Sequence, residues 1–271
     1  MDQSGHHEIF IDVKIYCELH YKCGEESVGL MKLSNTLRYW FLPKIREFRR
    51  DHSKNANVSY AQCGEDLIMQ YLFTVLGISN VVYLDVGAHH PTYLSNTYLF
   101  YRSGGHGVCV EPNPSLFLRL GAERPHDIHL ACGVGVVSEQ ADFFVMSNDT
   151  LNTFSKAEVE RYQSQGKQRL EKIIRTEVKT VNEIIEHNFE KCPNLISLDI
   201  EGMDYLILQN FDFKKYRPEV FCVETLTYAE DKSERKLVEI IELMRINGYF
   251  SYADTYVNTI FVDNAAWNNR P

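Results

Sequence analysis

Hydrophobic and polar positions change period several times along the chain, and each change predicts an element. Residues 9–19 alternate, with Ile9, Ile11, Val13, Ile15 and Leu19 apolar and Asp12, Lys14 and Glu18 between them, the period of a half-buried strand. Between 60 and 76 the period lengthens to that of a helix. Leu67, Ile68, Tyr71, Leu72 and Val75 share one face there, and Ser59 with Gln62 offers a capping box at its start. Gly77 ends this helix. A short run rich in β-branched residues follows, Val81-Val82-Tyr83-Leu84, too brief for a helix, and it opens into Asp85-Val86-Gly87-Ala88-His89-His90-Pro91. The same grammar, an apolar strand closed by an acid, recurs at 107–111, 195–199 and 220–224, ending in Glu111, Asp199 and Glu224.

Helical patterns separate these runs. They are expected from Ser95-Asn96 to about Tyr101, around Leu116, Phe117 and Leu120, from the Thr180/Glu183 capping box to Phe189, over 203–210, and through Leu237, Ile240, Ile241 and Met244. Asp127–Cys132 and Ala141–Met146 read as further strands, and Tyr249–Ala253 with Thr259–Val262 as an antiparallel pair closing the chain. Residues 148–176 break the pattern. They are polar and charged, with Ser155 and Glu158 placed as another capping box, and are expected to form a lid inserted beside the sheet. Strands alternating with helices predict an α/β fold with a doubly wound sheet, a main domain over 59–271 and an N-terminal extension over 1–58. Open α/β sheets bind ligands outside the carboxyl ends of their strands, so Asp85, Glu111, Asp199 and Glu224 are expected to ring one pocket.

Composition narrows the partners. With 44% hydrophobic and 24% charged residues the chain can bury a sizeable core, and a net charge of -9 argues against nucleic acid as the main partner. Residues 32–54 run against that charge, with Arg38, Lys44, Arg46, Arg49 and Arg50 interleaved with Trp40, Phe41 and Phe48. Such an arm suits a helix packed on the main domain or on a second subunit; its sharper reading is peripheral contact with an anionic membrane surface or a phosphorylated carrier. Seven cysteines are an odd number, and Cys109 and Cys222 fall in predicted core strands, so a reducing, cytoplasmic setting is expected. Cys17, His20 and Cys23 lack a fourth ligand and a zinc-ribbon spacing, so zinc is not expected. Neither a secretory leader nor a membrane-spanning run is read.

The Gly87-Ala88 turn would let a ligand approach the backbone closely, and Glu111 at the neighbouring strand end would accept hydrogen bonds from two ribose hydroxyls. One glycine in place of G-x-G-x-x-G argues against a pyrophosphate, and so against NAD or FAD; S-adenosylmethionine has no phosphate and tolerates the bulkier turn.

Four blocks in order resemble the FkbM family of S-adenosylmethionine-dependent methyltransferases. They are Ser59-Tyr60-Ala61-Gln62-Cys63-Gly64-Glu65-Asp66, Leu84–Pro91 with Ser95-Asn96-Thr97, Val110-Glu111-Pro112-Asn113-Pro114, and Ser197-Leu198-Asp199-Ile200-Glu201-Gly202. The resemblance covers about residues 59–262 and implies a Rossmann-like, seven-stranded class I methyltransferase sheet with a reversed C-terminal hairpin. It implies that Asp85, Gly87 and Ala88 line the methionine part of the cofactor, that Glu111 holds the ribose, and that Asn113 and Cys132 border the adenine. Glu65, His89, Pro112 and Asp199 complete the expected cofactor contacts.

Methyl transfer to a hydroxyl needs a base near the methyl group, and His89, Asp199 and Glu201 are the candidates. Glu65 and Asp66 sit at a helix start, which favours acids on structural grounds alone. A divalent cation on Asp199, Glu201 and Glu224 has no decisive ligand spacing, so no metal is expected. The expected activity is O-methylation of a sugar hydroxyl of a glycan or nucleotide-linked sugar. A non-sugar small metabolite is the alternative acceptor, and a cofactor-binding scaffold without catalysis is the alternative class. A homo-oligomer is expected.

Overall fold

In the computed structural model the described residues are 56–164, 166, 168–200, 202–227 and 234–271. The strand read at 9–19, the basic arm, the Cys17/His20/Cys23 cluster and Glu201 therefore lie outside them. In chain order the elements are α1 (Glu65–Val75), β1 (Val82–Val86), α2 (Tyr98–Arg102), β2 (His106–Val110), α3 (Pro114–Glu123) and β3 (Ile128–Leu130). Next come β4 (Gly133–Val134), β5 (Glu139–Met146), a 3-10 turn (Asp149–Leu151), α4 (Lys156–Ser164), β6 (Leu170–Lys179) and α5 (Val181–Asn188). The chain closes with β7 (Leu195–Leu198), α6 (Asp204–Gln209), β8 (Val220–Glu224), α7 (Val238–Ile246), β9 (Tyr249–Asp254), β10 (Asn258–Asp263) and α8 (Asn264–Asn268).

The acid-closed runs become the inner strands of a seven-stranded sheet in the order β3-β2-β1-β7-β8-β10-β9. The first five strands of that order run parallel, and β10 is antiparallel to both β8 and β9. This is the class I methyltransferase sheet with its reversed final hairpin. Successive side chains of a strand point to opposite faces, and two apolar layers follow. Leu84, Val86, Ile196 and Leu198 pack with Ile184, Ile207 and Ile240 of α5, α6 and α7 on one face. Tyr83, Cys109, Leu195 and Cys222 pack with Met69, Phe100 and Leu120 of α1, α2 and α3 on the other.

Several boundaries differ from the sequence reading for identifiable reasons. Helix α1 starts at Glu65 rather than near 60, because Gly64 takes a left-handed φ of 88°. Asp66 collects the Ser59 hydroxyl (2.6 Å) and the Tyr60 N–H (2.7 Å), so the Ser59/Gln62 capping box gives way to a carboxylate that ties the preceding turn to the helix. Helix α2 likewise starts at Tyr98, whose N–H bonds Ser95 Oγ at 3.1 Å. The Thr180/Glu183 capping box forms as expected.

The larger difference concerns 148–176. Helix α4 is present, but the segment also supplies most of strand β6, which pairs antiparallel along β5 and joins β4 in a three-stranded sheet of order β4-β6-β5. Phe144, Met146, Leu151, Val159 and Tyr162 make its own small core. Strand β6 escapes a hydrophobicity reading because its outer face is charged (Glu171, Arg175, Glu177) and only Val178 is fully buried. Among the described residues no helix is long and apolar enough to cross a membrane.

Candidate active site

Strand β1 builds the site by where it stops. Its last residue is Val86, and Gly87 turns the chain with a φ of 78°. A Cβ at Gly87 would lie 1.9 Å from the carbonyl oxygen of Asp199, so only glycine lets the ends of β1 and β7 come this close. The N–H groups of Gly87 and Ala88 both reach Val110 O at 3.1 Å, and the Asp199 N–H reaches Val86 O at 3.1 Å, stitching three strand ends together. His89 follows in the left-handed region (φ 47°), and its N–H bonds Glu111 Oε2 at 2.9 Å. That conformation costs a non-glycine residue about 1–2 kcal/mol, and the Glu111 contact helps to hold it.

Above these ends lies a cavity of about 550 Å³, within the range of roughly 300–1,000 Å³ that encloses small-molecule ligands. Gly87, His89, Glu111, Pro112, Cys132 and Asp199 line it, as does Glu224. Three of the four strand-end acids therefore meet there. The fourth does not. Asp85 sits one residue inside β1 on the same face as Tyr83, which aims its carboxylate at the helical layer, where Thr97 Oγ1 donates to it at 2.5 Å and Arg124 Nη1 lies 3.8 Å away. Burial pushes its carboxyl up, against the opposing pull of Arg124 and the Thr97 hydroxyl.

Ala88, Asn113 and Glu65 also stand behind the wall. The Asn113 side chain caps α3 by accepting from the Ser115 N–H, while its own N–H bonds Glu111 Oε1 at 2.7 Å. Glu65 accepts from the Cys63 N–H, the Thr255 hydroxyl and Asn258 Nδ2, joining α1 to the final hairpin.

The cavity is acidic. Glu111, Asp149, Asp199, Glu224 and Glu234 line it, and among the described lining residues there is no Lys or Arg. Burial raises the Glu111 carboxyl to about 7 although two backbone N–H groups bond it. Burial and the nearby Asp85 raise Asp199, and a side-chain hydrogen bond from Glu224 opposes them. Two carboxyl groups bonded to each other must share a proton. The imidazole of His89 is pushed down, chiefly by burial, so it is neutral at physiological pH. Burial raises the Cys132 thiol to about 11, so it stays protonated. No group of three or more potential metal ligands occurs among the described residues.

Buried polar atoms without a partner concentrate at this cavity. His89 Nε2, Asn152 Nδ2, Glu234 Oε2 and Asn258 Oδ1 are such atoms, and all four residues line it. Asp149, Asn152, Thr153 and Phe154 come from the small-sheet segment, and Glu234 and Asn258 from around the final hairpin; sequence reasoning named none of them. The polar run Asn148-Asp149-Thr150 before Asn152 and the Asn258 that opens β10 were the available signs.

The lining fits S-adenosylmethionine. Glu111 uses one lone pair on each oxygen for a backbone N–H and keeps acceptor capacity for a ribose diol. A wall of carboxylates without Lys or Arg suits a ligand that carries a sulfonium and no phosphate.

The family match agrees with this chemistry. The model of the Methyltransferase FkbM domain matches residues 85–251, more than half of the chain. No curated protein matches. Among solved structures, a methyltransferase of Geobacter sulfurreducens is similar at 8% identity and a TM-score of 0.41, over 93% of this chain and 96% of that one. An O-methyltransferase of Bacillus cereus in complex with S-adenosylhomocysteine gives 12% and 0.37, over 83% and 94%. The 1,6-didemethyltoxoflavin-N1-methyltransferase of Burkholderia thailandensis gives 11% and 0.38, over 87% and 91%. The seven-stranded order, the acidic cavity and above all the family match place the chain in the FkbM methyltransferase family, as an S-adenosylmethionine-dependent methyltransferase.

Proposed function

We propose that the chain is an O-methyltransferase acting on a sugar hydroxyl, with Asp199 accepting the proton that the hydroxyl loses. The observation that carries this reading is the bonded carboxyl pair Asp199–Glu224 on the cavity wall. A carboxyl raised toward neutrality is a better base than an ordinary surface aspartate. The pair already holds one proton on the Glu224 side, so Asp199 itself keeps the proton taken from the hydroxyl, and the pair becomes neutral until that proton leaves to solvent. S-adenosylmethionine supplies an electrophilic methyl group on sulfur. The chain's residues bind and orient around it: Glu111 takes the ribose hydroxyls, Gly87 lets the backbone approach, and Pro112 and Cys132 give apolar surface. Asp85, Ala88, Asn113 and Glu65 act from behind the wall by fixing the turns that carry those groups. His89, with a neutral ring and an unpartnered buried Nε2, is the second candidate base.

The lining weighs on the acceptor too. Carboxylates would repel a phosphate, which favours a sugar presented by a glycan over one whose diphosphate enters the cavity. Residues 148–176 act in this reading as a cover that limits water, supported by Asp149, Asn152, Thr153 and Phe154 on the cavity wall. Incubating the full chain with methyl-labelled cofactor and a set of oligosaccharides, then locating the label by mass spectrometry, tests the reading. A methyl ether is expected; label found only on nitrogen or carbon would overturn it.

A further inference from the structure

Beyond Asp199, toward the reversed edge of the sheet, the cavity holds a second cluster of acceptor atoms, and from it we infer a subsite for an ammonium group, which makes the acceptor an amino sugar. This rests on the reading of the chain as a sugar O-methyltransferase. The cluster is built by register. Glu224 and Asn258 are direct partners across the antiparallel β8–β10 pair, so their side chains share a face. In the next ladder Leu198 pairs with Val223, which sets Asp199 level with Glu224. Glu234 is brought to the same place by the segment that leaves β8: Leu226 bridges Lys236, the Thr227 N–H bonds Arg235 O at 3.0 Å, and the Leu237 N–H bonds Thr225 O at 2.8 Å.

The orientation of these groups is fixed from behind. Asn258 Nδ2 donates to Glu65 Oε1 at 3.1 Å, and Glu65 can only accept in that pairing, so the amide oxygen is the atom left over. That Oδ1 is buried and has no partner. Glu234 is similar: Oε1 has a long contact of 3.4 Å with the Tyr256 hydroxyl, and Oε2 is buried without a partner. Both vacant positions are acceptors, so a ligand must bring donors. Of the two cations that follow Glu234, Arg235 is exposed and does not line the cavity, and Lys236 is already spent on Asp254 (2.7 Å) and Tyr256 O (2.8 Å).

A hydroxyl brings one hydrogen and no charge. An ammonium brings three hydrogens and compensates the carboxylates, and charge-assisted bonds are roughly twice as strong as neutral ones. Glu111 ends β2, on the far side of β1 and β7 from β8 and β10. Because S-adenosylmethionine carries an α-ammonium of its own, the subsite is defined as the acceptors left open once the cofactor's product is bound. An amine held here as ammonium has no lone pair to attack with, so methyl transfer is left to a hydroxyl of the same sugar.

The test uses the full chain saturated with S-adenosylhomocysteine and titrated calorimetrically at neutral pH with glucosamine, glucose and glucuronate. Glucosamine is expected to bind about tenfold more tightly than glucose, with glucuronate weakest, and Glu234→Gln should bring glucosamine down to the level of glucose while homocysteine-nucleoside affinity stays the same. Glucosamine binding no tighter than glucose, or not binding at all, to a protein that still binds S-adenosylhomocysteine would overturn the subsite alone. Failure to bind S-adenosylhomocysteine would overturn it together with the function on which it rests.

Discussion

Beneath the Gly87 turn, Asp85 and Asp127 close around Arg124, whereas above it Glu111, Asp199, Glu224 and Glu234 face a cavity without a described Lys or Arg on its wall. Burial is comparable at the extremes, with Asp85 4% exposed and Glu111 5%. Satisfaction is not. Asp127 accepts from the Tyr83 hydroxyl, the Gly107 N–H and Arg124 Nε, all within 2.9 Å. Arg124 also donates to Thr97 Oγ1 at 3.0 Å and lies against the Tyr83 and Tyr101 rings. Every strong group there has found a partner inside the protein. The cavity acids keep capacity to spare, and that difference separates a structural ion cluster from a site built to receive a cation and hydroxyls.

Removing the centre of the lower cluster should have the largest effect. Arg124→Met keeps much of the bulk and leaves two carboxylates buried without compensation, so it should cost about 3–5 kcal/mol of stability, read by urea denaturation. A loss of less than about 1 kcal/mol would show that the cluster is not held by its charges. On the cavity side the ranking should invert. Asp199→Asn removes a charge that burial disfavours, so stability should hold or rise, while turnover on a confirmed acceptor should fall about 10²-fold with S-adenosylhomocysteine affinity within a few-fold. His89→Gln should leave turnover much less affected; if it is the worse variant and removes an inflection of the pH–rate profile near neutrality, the imidazole is the base instead.

Much of this division was legible in the chain before the structure. Strand ends closed by acids located Glu111, Asp199 and Glu224 on one edge, because the rule that ligands sit outside carboxyl ends depends only on strand order. Asp85 followed the same grammar and still left the wall. It pairs with Cys109 and Ser197, two residues short of the level at which Glu111 and Asp199 stand, so it keeps their face of the sheet but lies one pleat deeper, under the helical layer that carries Arg124. Arg124 was out of reach for another reason: it is the C-cap of α3 and meets Asp85 only across the helical layer, a contact that no local pattern encodes. Strand β6 was hidden by charge on the exposed face of a small sheet, and the cavity residues of 149–154 belong to a 3-10 turn and an isolated bridge that no periodicity marks. Glu234 and Asn258 depend on pairings across the last two strands, where register rather than composition decides.

Glu111 offers a sharper, smaller test of the same contrast. Glu111→Ala should weaken S-adenosylhomocysteine binding by about 1–3 kcal/mol, since it removes a charge-assisted acceptor of the ribose hydroxyls. Unchanged affinity would take Glu111 out of the nucleoside site. The variant should not lose stability on the scale of Arg124→Met, because the carboxyl is not part of an ion pair.

The smallest expected effect is a pH dependence, and its sign follows from the raised carboxyl. The folded protein holds the Glu111 proton up to about 7, above the ordinary value of 4.5. Between those values the folded state binds more protons than the unfolded one, so this group's contribution to stability falls as pH rises through the window and is level above it. Ligand binding should run the other way. Ribose hydroxyls donate to the ionised carboxylate, so binding should lower the Glu111 pKa and release a proton, and affinity should climb as pH approaches 7 and flatten beyond. A pKa lowered by one unit corresponds to roughly tenfold in affinity, so binding at about pH 6 should be up to about tenfold weaker than at about pH 8. Groups on the ligand titrate as well, and Glu111→Gln separates them, because it keeps the size of the side chain and cannot ionise. Calorimetric titrations of both proteins across that range, in buffers of different ionisation enthalpy, should show a steeper affinity profile and a larger proton release for the wild type. Identical profiles would mean that Glu111 is ionised before the ligand arrives, and the cavity acids would then resemble the sealed acids around Arg124 more closely than their vacant lone pairs suggest.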